Sequence, residues 1–384
     1  MQCNYVKFYS LIFLFIIASA QSFSQNFVTH NYRDDDLYAG IDVGSKGVKL
    51  SIIKMGKKAS VNGSYVAVKD TAINTDFISF TPQTFNATLY AIKDLYYYAK
   101  RMYNIPAEKI FTVVSSGIKG QAEKENKQDK IVALSDSLRI LLKESKRVVP
   151  IIGAMEEAKL SHLGIVPESR RYNTFLIDIG SGNTKGGYFK NGNTKELKLF
   201  MLNWGTKTIS NATEKRLDGD NSIKNYKKQL NRVLAGDPNN EIVYAVNESG
   251  AYNLNDNFAF SGGIAWAVAT LIYPELADNS VVPLKFDDLV ALNDKLATNF
   301  ANITPVGIAN TVVDKTISKN GIEQEVVRVQ KEFDQKALMA GTSLLLNIVR
   351  QFEGTQEKKN FFLVKNGQVG WISAYVTQSV NSKY

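Results

Sequence analysis

Apolar residues come in short runs separated by polar turns over 38–43, 48–54 and 65–68, the pattern of a three-stranded meander. At Thr81-Pro82 the period changes. Leu89, Ile92, Leu95, Tyr96 and Ala99 recur at helical spacing, and proline suits the first position of a helix. Tyr96-Tyr97-Tyr98 resembles a binding surface, but its place in that period assigns it to packing. A strand over 110–114, a helix over 131–142 and an apolar run over 148–152 complete this block, and 153–164 bridges to the next. There the plan restarts. Runs over 174–179, 184–189 and 195–202 form a second meander, with Asn191-Gly192 as its hairpin signal. Helical patterns follow over 222–234, 264–271, 286–299 and 333–352, and a strand over 361–364 precedes Gly367-Gln368-Val369-Gly370-Trp371 and a tail. The expectation is an α/β protein of two similar halves flanking a ligand cleft.

Each half opens on nearly the same turn. Gly40-Ile41-Asp42-Val43-Gly44-Ser45-Lys46-Gly47 and Leu176-Ile177-Asp178-Ile179-Gly180-Ser181-Gly182-Asn183 both join one apolar run to another. Glycine permits close backbone approach, and successive amides in such turns form anion-binding concavities beside the aspartate. One such tetrad is usually an ordinary hairpin turn. Two, a domain apart, point to a phosphate clamp. Ser261-Gly262-Gly263 adds a third element, because it ends an apolar run and opens a helix whose N-terminus favours anions.

The 384 residues, 44% hydrophobic and 22% charged, are enough for two globular domains. An apolar run over 11–20, preceded by Lys7 and closed by Ala18-Ser19-Ala20, reads as a signal peptide with the mature chain starting near Gln21. A signal of this kind implies export across the inner membrane to the periplasm. The run is shorter than the ~20 residues of a membrane span. Cys3 is the single cysteine, and His30 and His162 are the two histidines. That scarcity excludes disulfides, thiolate sites, zinc centres and a Ser-His-Asp triad. The formal net charge of +9, with lysine clusters at Lys54, Lys57 and Lys58, over 119–130, and at Lys224, Lys227, Lys228 and Arg232, favours an anionic partner. Any one cluster is more simply a solvated face.

The turns and Ser261-Gly262-Gly263 together resemble the phosphate-1, phosphate-2 and adenosine motifs of the sugar kinase, actin and heat-shock ATPase superfamily. Val149 through Gly164, with Gly153, Glu156-Glu157-Ala158 and Leu160, is similar to the "I-S-G-x-E-E-A-x-L-x-x-x-G" linker of the exopolyphosphatase and guanosine pentaphosphate phosphohydrolase (Ppx/GppA) family. Ser115-Ser116-Gly117-Ile118-Lys119 resembles its "T-S-A-x-R", and Gly367-Gln368-Val369-Gly370 its "G-L-R-x-G".

The resemblance implies two ribonuclease H-like (actin-like ATPase) domains: 37–155 plus 367–384 as the first, 156–366 as the second. It implies Glu157 as the base that activates water, and Asp42 and Asp178 as holders of Mg²⁺. Phosphate would be bound by Gly44, Ser45, Lys46, Ser116, Lys119, Gly180, Ser181, Gly182, Asn183, Lys185, Gly262 and Gly263. The implied activity is hydrolysis of polyphosphate or a nucleotide polyphosphate, and a homodimer is compatible with it. No specific nucleic acid partner is expected. The chain also departs from the family. Lys185 stands where the phosphate-2 motif "D-x-G-G-G-S-T-E" has its glutamate, and Lys119 replaces an arginine. A lysine for a carboxylate weakens metal binding and strengthens anion binding. A non-catalytic polyphosphate binder on the same fold is therefore the alternative, with a kinase a distant third.

Overall fold

A computed structural model describes residues 36–55, 66–250, 255–353, 358–365 and 370–381. The expected signal peptide, Cys3, His30, Lys57, Lys58, Tyr65 and Gly367 to Val369 lie outside the described residues. Among those described, no helix is long and apolar enough to cross a membrane.

The first sheet holds β1 (Leu37–Val43), β2 (Gly47–Lys54), β3 (Val66–Asn74) and β4 (Ile110–Val114), in the order β3-β2-β1-β4. The meander pairs antiparallel, and β4 joins β1 in parallel. A single parallel bridge from Val114 to Ile151 marks where a fifth strand would stand. The second sheet holds β5 (Thr174–Ile179), β6 (Thr184–Phe189), β7 (Leu197–Leu202), β8 (Asn257–Ser261), β9 (Val281–Leu284) and β10 (Asn360–Val364). Its order is β7-β6-β5-β8-β10-β9, with β5, β8 and β10 parallel. Both sheets follow the ribonuclease H-like plan, an antiparallel meander extended by parallel strands, and β9 closes the second sheet antiparallel to β10.

Helix packing follows from the sequence where its period is clear. Thr81 caps the helix Pro82–Met102 through Thr84 N at 3.2 Å, with Pro82 at its first position. Ile92, Leu95, Tyr96 and Ala99 are buried against the first sheet, and Tyr97 and Tyr98 pack partly beside them. The tyrosine triplet is thus part of the core, as its spacing predicted.

Two elements read as linkers are helices. Ala154–Ile165 was expected as a bridge and Gly370–Asn381 as a tail. They pack on each other, Gly370–Asn381 against β1 of the first sheet and Ala154–Ile165 against β6 of the second, and Tyr38, Ile53, Val113, Leu160, Trp371 and Ile372 form a separate cluster there. Thr206–Glu214, Asp237–Ser249 and Lys319–Glu332 are helices that the apolar pattern did not announce. In Lys319–Glu332 only Ile322, Val326 and Val329 are buried, too narrow a stripe to stand out among charges.

Parallel strands carry their carboxyl ends to one edge, and that is where open α/β sheets bind ligands. Here the ends of β1, β4, β5 and β8 open on a single cleft between the sheets.

Candidate functional site

The cleft encloses about 390 Å³ and is lined by both glycine turns, Glu157, Ser261's neighbours Gly262 and Gly263, and Trp371. Each turn closes on itself. Gly44 N donates to Gly47 O at 2.9 Å, and Gly180 N to Asn183 O at 3.0 Å. Those two amides serve the turns rather than an anion, which corrects the donor role expected of Gly44 and Gly180. The amides of Ser45, Ser181 and Gly182 have no partner among the described residues.

The turn tips meet. A Cβ built on Gly182 would fall 2.5 Å from Ser45 Oγ, and one on Gly117 would fall 2.8 Å from the same atom. With no side chain at Gly182 or Gly117, the Ser45 hydroxyl fits against the second turn and the start of the helix Ser116–Glu125. Gly262 has a φ of 96°, and a Cβ there would lie 2.2 Å from Ile179 O. That backbone turns β8 into the helix Gly263–Ile272, whose N-terminus lines the cleft.

A buried ion cluster lies beneath the turns. Lys185 Nζ sits 2.9 Å from Glu157 Oε1 and 3.3 Å from Asp178 Oδ2, with Asn183 Oδ1 accepting at 3.4 Å. The Lys185 and Glu157 side chains are 4% and 3% exposed. Ser116 N donates to Glu157 Oε2 at 2.7 Å, and Ser261 Oγ donates to Asp178 Oδ1 at 2.8 Å. Burial disfavours a charged lysine, yet Glu157 and Asp178 outweigh it and hold the Lys185 ammonium above its ordinary range. Burial pushes the Asp42 carboxyl up to about 7; Lys49 and Lys185 oppose that shift and Glu157 adds to it. Its Oδ1 has no partner among the described residues.

The Mg²⁺ that the resemblance implies does not fit this arrangement. An ammonium already bridges two of the carboxylates a metal would need. Among the described residues no group of three or more His, Cys, Asp or Glu is arranged to hold a metal ion.

The remaining expected residues divide. Lys46 lines the cleft, but its ammonium bonds Glu332, with Oε2 at 3.0 Å, and lies over the Phe333 ring. Ser116 is buried as a strut, accepting from Asn183 Nδ2 at 3.2 Å. Lys119 is absent from the cleft wall; 43% exposed, it reaches towards Glu123 on its own helix. Lys69, Arg328 and Lys331 line the cleft without having been singled out, and Lys49 joins them there. For Lys49 a signal existed, because it faces Asp42 across β1 and β2 as Lys185 faces Asp178 across β5 and β6. Arg328 and Lys331 sit on the helix Lys319–Glu332, and nothing local in the sequence marks them.

No protein-family model matches the chain, and no curated protein matches it in sequence. Solved structures do match. An exopolyphosphatase-like protein is similar at a TM-score of 0.58 and 17% identity, over 91% of this chain and 100% of that one. A Ppx/GppA phosphatase of Aquifex aeolicus, type II variant, gives 0.54 and 15% over 89% and 98%. An exopolyphosphatase from Cytophaga hutchinsonii gives 0.55 and 14% over 90% and 98%. The fold of this chain is that of the Ppx/GppA exopolyphosphatases, as its motifs implied.

Proposed function

We propose that the cleft binds the end of a polyphosphate-like anion and that the chain hydrolyses its terminal phosphoanhydride bond. The observation that carries this reading is the meeting of two glycine turns, one from each lobe, above the Glu157 carboxylate. The amides of Ser45, Ser181 and Gly182 and the helix start at Gly263 receive the terminal phosphate oxygens. Lys49, Lys69, Arg328 and Lys331 extend the positive wall beyond the turns, which favours a chain of phosphates over a single one. Names of similar structures, exopolyphosphatase among them, support the same substrate class.

In this reading water attacks the terminal phosphorus, the P–O bond to the next phosphate breaks, and Glu157 takes the proton of the attacking water. A carboxylate offers about four acceptor sites. The Ser116 amide and the Lys185 ammonium occupy two, leaving room for a water. The protein's share is positioning and electrostatics. One observation favours a second reading, a non-catalytic polyphosphate binder: Lys185 competes with the attacking water for Glu157.

Phosphate release from polyphosphate, guanosine tetraphosphate and ATP separates the two. Release from polyphosphate is expected, with Glu157→Gln lowering turnover by about 10²–10⁴-fold and leaving binding nearly intact. Tight polyphosphate binding without release supports the binder. Neither binding nor release overturns both.

A further inference from the structure

We infer that the Lys185 ammonium is the resident cation of this cleft, so that the site takes its anionic ligand without a divalent metal. The inference rests on the proposed phosphate-binding role of the cleft for its ligand, but its core claim concerns the empty protein.

The geometry is that of a finished site. An ammonium has three N–H donors. Glu157 Oε1, Asp178 Oδ2 and Asn183 Oδ1 provide three acceptors, at 2.9, 3.3 and 3.4 Å. The other oxygen of each carboxylate is held from outside, by the Ser116 amide at 2.7 Å and the Ser261 hydroxyl at 2.8 Å. Each carboxylate is thus fixed with one oxygen on a monovalent cation that belongs to the chain and the other on a neutral donor. Mg²⁺ demands oxygens at about 2.0–2.1 Å in near-octahedral array. To gain them it would have to displace Lys185, which is anchored on β6 and held by both carboxylates. Left in place, the ammonium repels a divalent ion at contact distance.

The first lobe repeats the device more loosely. Lys49 stands directly opposite Asp42 across β1 and β2, as Lys185 stands opposite Asp178, and it too lines the cleft. Each turn aspartate is therefore faced by a lysine on the returning strand. Positive charge that a metal would bring to a phosphate is supplied by side chains fixed in the fold. An ammonium is also released by nothing that chelates metals.

Two measurements on the full chain test this. The first is titration of the unliganded protein with Mn²⁺, followed by electron paramagnetic resonance. No stoichiometric binding is expected. One Mn²⁺ per chain at micromolar affinity, lost in Asp178→Asn, would overturn the inference whether or not the protein acts on polyphosphate. The second is calorimetric titration with polyphosphate in EDTA, where affinity is expected to persist. Affinity that appears only on adding Mg²⁺ counts against the inference, whereas no polyphosphate binding under any condition counts against the proposed function instead. Lys185→Glu is expected to raise Mn²⁺ affinity by about ten- to a hundredfold. A folded Lys185→Glu protein that gains no Mn²⁺ binding would show that the lysine is not what excludes the metal. Should that variant not fold, the titration of the unaltered chain still decides.

Discussion

Replacing Lys185 by methionine isolates the charge of the buried cluster, because methionine retains most of the apolar stem. Glu157 and Asp178 would then remain buried without their shared cation. Removing one partner from a buried ion pair costs about 3–5 kcal/mol, whereas an exposed pair is worth about 0–1 kcal/mol. At about 2–4 °C per kcal/mol for a domain of 150–250 residues, the melting temperature should fall by about 6–20 °C. Urea titration and calorimetry at neutral pH measure both quantities. Titration of Lys185 itself adds no pH dependence to the deficit around neutrality. With its folded-state value above the unfolded one near 10.4, Lys185 contributes fully below that pH and loses its contribution only as pH rises through the folded value. Combining Lys185→Met with Glu157→Gln and Asp178→Asn removes all three charges and should recover most of the loss. A Lys185→Met protein within about 1 kcal/mol of the parent would refute the reasoning, since that is the worth of a solvated pair.

Three further outcomes follow from the same structure. His162 is buried, Nε2 bonds Thr174 O at 3.0 Å, Nδ1 has no partner among the described residues, and burial depresses the ring to about 4. Because the folded value lies below the unfolded one near 6.5, stability is complete above pH 6.5 and falls by about 3 kcal/mol towards pH 4; urea midpoints across that range check it, and a flat profile contradicts it. Gly182→Ala puts a methyl 2.5 Å from Ser45 Oγ and should lower polyphosphate turnover by about 10²-fold by parting the turns. Lys119→Ala should leave turnover unchanged in the same assay, because that side chain lies off the cleft wall.

Some of this protein is written locally. The aspartate, glycine and serine turns are legible because each residue type answers a constraint within a few positions: a tight reversal, close approach, a carboxylate beside amides. The meanders and the helix at Pro82 are legible because apolar period and capping act over one element. The direction of Lys185 is not. Every residue of β6 is buried, so alternation along the strand does not tell the side that faces the cleft from the side that faces the core. Only the antiparallel register, which sets Lys185 opposite Asp178, and the arrival of Glu157 on a helix between the lobes decide that the ammonium points into the carboxylates. Lys119 and Arg328 show the same division. Motif position favoured Lys119, yet its helix carries it away, while Arg328 reaches the cleft from a helix far along the chain. Side-chain chemistry is a property of the sequence, but which charges share one low-dielectric space is set by how strands and helices distant in the chain pack together.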